Sequence, residues 1–243
     1  MRIFLAGATG VIGRRLLPLL IADGHAVTGT TRSPDKAKLL KRAGVKPVVV
    51  DAYDALTLEQ AVWEAQPEVV IHQLTDLPQV ADPALMPAAL EANAKLRIDG
   101  TRNVMAAAQG AGAKRVIAQS IAFIYAPGEG ARAETDPLAT QPDGSYSASI
   151  QGVIALEQQV LGVSGIDGIV LRYGRLYGPG TWYQTGPGSP GSLHVDAAAQ
   201  AARFAVTRGT AGIYNIAEDD GAYAIDKARR EFGFDPRFRT DAA

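Results

Sequence analysis

"RIFLA" (Arg2–Ala6) running into "GATGVIGRR" (Gly7–Arg15) is the stretch on which the reading of this chain turns. The short apolar run has the form of a buried strand, and a helical pattern follows over residues 10–22. Between them stand glycines at 7, 10 and 13. Each has a mechanical task in a strand–turn–helix: Gly7 permits the tight turn, Gly10 admits a close neighbour to the backbone, and Gly13 lets helix and strand pack together. The head of such a helix presents unpaired N–H groups and partial positive charge. The stretch therefore predicts a pyrophosphate cradle, lined by Gly7, Thr9, Gly10, Val11, Ile12 and Gly13.

Outward from the turn, apolar runs alternate with helical patterns. Strands are expected at Arg2–Ala6, Ala26–Thr31, Pro47–Val50, Glu68–His72, Arg115–Gln119 and Gly168–Tyr173, with helices near 10–22, 34–43, 57–66, 83–110 and 148–161. Short apolar strands separated by helices predict an α/β fold, with a parallel sheet covered on both faces. Right-handed crossovers make it a Rossmann-type doubly wound sheet of order 3-2-1-4-5-6. Pro18 removes one hydrogen bond from the first helix and is expected to bend it. After Tyr173 the texture changes. "YGPGTWYQTGPGSPGS" (Tyr177–Ser192) holds five glycines and three prolines and reads as a loop. A helix near 195–207, a strand near Ile213–Ile216 and a helix near 223–232 follow. Residues 1–173 are read as the nucleotide-binding core. Residues 174–243 are read as a small substrate-binding part, partly interleaved with it.

Composition excludes several classes. A net charge of −1 across 243 residues gives no basic footprint for nucleic acid. With no cysteine there are no disulfides and no thiolate chemistry, and the three histidines, His25, His72 and His194, have no metal-site spacing. No apolar run approaches the roughly 20 residues that span a bilayer. "MRIFLAGATG" puts a strand and turn where an export signal needs a longer apolar segment. The expectation is a cytoplasmic protein acting on a small molecule, with no nucleic-acid or membrane partner.

The second strand ends in "GTTRSPDKAK" (Gly29–Lys38). An acidic residue there would take the ribose 2′-hydroxyl of NAD, whereas an arginine accommodates the 2′-phosphate of NADP. Thr31, Arg32 and Ser33 favour NADP, with NAD possible, because a guanidinium can bind a phosphate bidentately. Asp51, ending the third strand, is a candidate acceptor for the adenine amino group or a simple strand cap. Gln73 and Leu74 after the fourth strand, and Tyr173 ending the sixth, are further cofactor-lining candidates. Tyr177, Trp182 and Tyr183 in the Gly/Pro-rich loop either wall a small substrate pocket or pack the loop down.

Five segments in order resemble the extended short-chain dehydrogenase/reductase family, the NAD(P)-dependent epimerase/dehydratase group: "GATGVIGR", "DGTRNVMAAAQGAGAKRVIAQSIAFIY" (Asp99–Tyr125), "LRYGRLYGPG" (Leu171–Gly180), "LHVDAAAQA" (Leu193–Ala201) and "IDKARREFGFDP" (Ile225–Pro236). The resemblance implies hydride transfer between a nicotinamide and a carbonyl or alcohol. It also implies a dimer through the helices near 83–110 and 148–161. The family's catalytic set is a Ser/Thr, a Tyr and a Lys four residues after the Tyr, so that the lysine lies on the same helical face and lowers the tyrosine pKa. Here that set is broken. Tyr146 and Ser149 stand in "SYSASIQG" (Ser145–Gly152), but Ile150 takes the lysine place; aligned instead on "ALEQQVL" (Ala155–Leu161), Ser149 takes the tyrosine place and Val153 the lysine place, so both registers lack the lysine. Ile121 takes the Ser/Thr place, with Ser120 one residue early and expected on the opposite strand face. Arg97 replaces a family Asn.

A phenol without that lysine ionises near ~10, so it can donate a proton in a reduction but is a poor base at neutral pH. The candidate catalytic residues are therefore Tyr146 as proton donor, Arg97 as electrostatic helper, and Ser120. Three functions stay open at this point: an NADP-dependent reductase of a small carbonyl or hydroxyl compound, a catalytically silent NAD(P)-binding sensor, and a sugar epimerase or dehydratase.

Overall fold

The computed structural model describes residues 1–139 and 145–240. In chain order the elements are β1 Arg2–Ala6, α1 Gly13–Ala22, β2 Ala26–Thr31, α2 Pro34–Arg42, β3 Lys46–Val49, α3 Ala55–Ala65, β4 Val69–His72 and α4 Met86–Lys95. Then come α5 Thr101–Gly110, β5 Arg115–Ile121, α6 Ser145–Leu161, β6 Asp167–Tyr173, β7 Arg175–Tyr177, β8 Ser192–His194, α7 Val195–Ala205, β9 Gly212–Ile216 and α8 Asp226–Phe232. The sheet is parallel throughout, in the order β3-β2-β1-β4-β5-β6-β9. The expected six-strand order stands, and β9 extends it at the β6 edge.

Strand periodicity divides the core into two layers. Ile3 and Leu5 of β1 join α1, α2, α7 and α8 on one face, while Phe4 and Ala6 join α3, α5 and α6 on the other. Side chains such as Phe4, Leu16 and Ile117 are fully buried, each stabilising the fold by about 1.5–3 kcal/mol relative to exposure. Residues 174–240 return to this same core through β9, α7 and α8. The Gly/Pro-rich loop is spanned by a small β7–β8 pair that its composition did not predict.

Two local departures bear on the site. The predicted helix over 83–110 is a helical run whose middle, Leu96–Gly100, is π-helical. Such a turn inserts an extra residue and is often found at functional sites. Pro18 lies inside α1, which continues through it. Among the described residues no helix is long and apolar enough to cross a membrane.

Candidate functional site

The glycine turn closes at the carboxyl end of β1. Gly7 has φ +88°, a left-handed conformation that an L side chain rarely adopts, and a Cβ there would lie 2.7 Å from the Gln73 carbonyl oxygen. A Cβ on Gly13 would lie 2.3 Å from the Gly7 carbonyl oxygen. No side chain caps the head of α1, and its first turn carries no acid. Its leading amides are thus free of side-chain acceptors, as an anion site needs. The cradle fits a pyrophosphate.

Threonines tie the cradle to β2. Thr30 Oγ1 accepts from the Gly7 N–H at 3.1 Å, and the Thr9 hydroxyl donates to Thr31 Oγ1 at 3.3 Å. Thr31 Oγ1 also accepts the Ser33 N–H, and Ser33 caps α2. Arg32 projects past this corner and pairs with Asp76 at 3.0 Å. Asp51 accepts the Tyr53 N–H at 3.0 Å. The residues expected at the adenosine end are therefore gathered at the ends of β2 and β3.

At the end of β4, Gln73 is buried and donates from Nε2 to the Tyr173 hydroxyl at 3.3 Å, while its Oε1 has no partner. Burial pushes the Tyr173 phenol well above its ordinary value. An unpaired buried amide oxygen is costly, by about 1–3 kcal/mol, and suits a site completed by a ligand's N–H or O–H. The Leu74 carbonyl accepts from Gln119, which anchors this loop to β5.

His72 has a different task. Its Nδ1 accepts the Leu74 N–H at 3.2 Å, so Nε2 carries the hydrogen and donates to Thr101 Oγ1 at 3.0 Å. Burial, aided by the Arg97 charge, lowers its pKa to about 4. In the unfolded chain the value returns to about 6.5. Between those values the unfolded state binds more protons. Stability is thus intact above pH ~6.5 and falls as pH drops towards 4, by about 3 kcal/mol from this group. Chemical denaturation of the native chain and His72→Gln between pH 7 and 4 checks this: the variant should lose distinctly less. Equal losses would remove His72 from the acid transition.

The catalytic candidates separate. Tyr146 lies in the first turn of α6, half-buried against the cluster of Ile124, Ile150 and Val153, on which Ile121 also packs. Apolar side chains thus wall this tyrosine. Arg97, buried in the π-helical segment, donates to Ser149 Oγ at 3.2 Å. Burial lowers its pKa to about 10, opposed by the charges of Glu157 and Tyr146, so it stays cationic at neutral pH. Arg97, Ser149 and Tyr146 are thereby brought together.

Ser120 has a different partner, Glu157, whose charge also reaches Arg97. Ser120 is buried, and its hydroxyl donates to Glu157 Oε1 at 2.7 Å. Glu157 is held bidentately by Arg172 at 2.9 and 2.7 Å, and Arg172 also donates to the Tyr125 hydroxyl. Burial works against the Arg172 charge, but Glu157 and Tyr125 outweigh it and hold the guanidinium above its ordinary value. This cluster was missed in the sequence. Its signal was a carboxylate on the apolar stripe of α6 opposite an arginine inside the apolar "GIVLRY" of β6.

The Gly/Pro-rich loop leans over the cradle. Arg15 donates to the Pro179 carbonyl at 2.9 Å, and Trp182 Nε1 donates to the Pro78 carbonyl at 2.9 Å. His194 caps α7 through the Asp196 N–H, as expected of a structural histidine.

Comparison with known proteins agrees with this fold. The model of the NAD dependent epimerase/dehydratase family matches residues 3–205. The chain is 40% identical to a Streptomyces 3-diazoavenalumate denitrifying reductase over 92% of its own length and 78% of the relative's. It is 28% identical to a Stigmatella aurantiaca quinoline-oxide ketoreductase, 4-hydroxy-2-methyl-3-oxo-4-farnesyl-3,4-dihydroquinoline-1-oxide ketoreductase, over 68% of this chain and 46% of that one. The fold matches the crystal structure of Bordetella bronchiseptica WbmG in complex with NAD and UDP, with TM-score 0.74 and 21% identity across 99% and 90% of the two chains. With its glycine cradle and its named reductase relatives, this enzyme belongs to the NAD dependent epimerase/dehydratase family.

Proposed function

We propose that the protein is an NADP-dependent reductase of a small carbonyl compound, with NAD accepted less well. The observation that carries this is the apolar packing of Tyr146 against Ile124, Ile150 and Val153, in a sequence with no lysine between Lys114 and Lys227 to make the phenol a base. Gly7, Thr9, Gly10 and Gly13, with the amides leading into α1, would hold the pyrophosphate. Thr31, Arg32, Ser33 and Asp51 would take the adenosine end, and Gln73, Leu74 and Tyr173 the nicotinamide end. Bound there, the reduced nicotinamide supplies hydride. Tyr146 donates the proton that a developing alkoxide needs, and Arg97 stabilises the negative charge from behind Ser149. Sugar epimerisation requires a group that takes a proton as readily as it gives one, which this arrangement disfavours. Residues 174–243 would hold the substrate beneath Trp182 and Tyr183. A cytoplasmic homodimer through α4 and α6 completes the proposal.

A second reading is favoured by the 40% identical relative, whose name specifies a diazo substrate. With the substrate as an aryl diazonium cation, hydride attack breaks the C–N bond, releases N2 and leaves the hydride as the new C–H hydrogen of a neutral arene. No alkoxide forms, so no acid is needed. One experiment separates the two: NADPH consumption is followed with a panel of carbonyl and aryl diazo compounds, for the native enzyme and Tyr146→Phe. Carbonyl reduction lowered about 10²-fold or more by the substitution supports Tyr146 as donor. Diazo reduction that survives it within twofold supports the second reading. Consumption with neither class overturns both.

A further inference from the structure

The ion pair between Arg32 and Asp76 joins the segment after β2 to the segment after β4, with Nη2 and Oδ1 at 3.0 Å. Arg32 is 60% exposed and Asp76 29%. The asymmetry has a cause. Asp76 is fixed by its own backbone, whose N–H donates to Oδ1 of Asn93 at 2.9 Å, and Asn93 is buried on α4. Arg32 is the movable partner. Burial, reinforced by the charges of Asp76 and Asp51, raises the Tyr53 phenol. Arg32, Asp51, Tyr53 and Asp76 thus gather at the ends of β2, β3 and β4, beside the threonines of the cradle.

Building on the cofactor assignment proposed above, we infer that Asp76 moderates the preference of this enzyme for NADP, weakening 2′-phosphorylated nucleotides by holding Arg32. A 2′-phosphate must draw the guanidinium away from a carboxylate that the fold keeps in place. An unphosphorylated ribose makes no such demand. Exposed ion pairs are weak, so the handicap is severalfold and does not bar NADP. Asp76 acts as a positioning residue, through Arg32, and Asp76→Asn removes its charge while leaving the backbone bond to Asn93 in place.

The test is a fluorescence titration of the full chain with NADPH and with NADH, at low ionic strength where surface pairs are least screened. Asp76→Asn should raise the ratio of the NADH to the NADPH dissociation constant about fivefold. In an Arg32→Gln background the same substitution should move the ratio by less than twofold. A ratio unchanged or lowered by Asp76→Asn overturns the inference. So does a fivefold gain that persists without Arg32, since Asp76 would then act by its own charge. If the native chain binds neither nucleotide, the cofactor assignment falls and takes this inference with it. If it binds both and only the ratio fails to move, the assignment stands and the inference alone is lost.

Discussion

Glu157→Ala is expected to destabilise the protein by about 3–5 kcal/mol, the usual cost of leaving one half of a buried ion pair without the other. For a chain of this size that corresponds to a fall in melting temperature of about 6–20 °C. The substitution strands two groups at once. Arg172 is buried and keeps only the Tyr125 hydroxyl and the Glu134 carbonyl, and the buried Ser120 hydroxyl loses its acceptor. Glu157→Leu combined with Arg172→Met should cost less than Glu157→Ala alone, because no charge is then left without a partner. Differential scanning calorimetry of the three chains decides it. A single variant within 1 kcal/mol of the native chain would mean the carboxylate is not the anchor the geometry implies. The result also bears on function. Glu157 and Tyr146 share α6, and the Glu157 cluster pins that helix to β5 and β6. A loosened anchor should therefore reduce activity while leaving nucleotide affinity largely intact.

How much of this was legible in the sequence follows from which forces act locally. The cradle was legible because its requirements are local: a positive φ at Gly7 and close backbone approaches at Gly13 accept only glycine, and glycine is what the sequence shows. The strand order followed from short apolar runs with crossovers of fixed hand. The seventh strand was visible as an element, but its place beside β6 depends on where the chain returns after the Gly/Pro-rich loop, which no periodicity encodes. The displacement of Ser120 by one residue from the family's hydroxyl place was visible in the sequence. Its partner could not be inferred, because Glu157 lies on another element 37 residues away. The pairing of Arg32 with Asp76 spans 44 residues and was hidden for the same reason. Arg97 was found through a resemblance, and only the packing of the π-helical segment against α6 shows that it reaches Ser149.

Gly10→Ala and Gly13→Ala should fail in different ways, and the difference tests whether the turn is a cradle or only a tight corner. At Gly13 an added Cβ would sit 2.3 Å from the Gly7 carbonyl oxygen and 2.8 Å from the Ala8 carbonyl, all backbone atoms within one rigid turn. Nothing flexible can yield, so α1 must move off β1. Overpacking of this kind costs about 3 kcal/mol or more, and both stability and nucleotide binding should be lost together. At Gly10 the new Cβ would meet only the Gly7 carbonyl oxygen, at 3.2 Å, with nothing else within 4 Å. The fold should tolerate that methyl with a change of under about 1 kcal/mol, since alanine also restricts the unfolded chain. A pyrophosphate approaching the backbone would not tolerate it, and affinity for NADPH should fall at least tenfold. Melting temperature and calorimetric titration, measured on both variants, give the two axes. Gly10→Ala that folds normally and still binds NADPH like the native chain would reduce the three glycines to packing devices and remove the pyrophosphate from the turn.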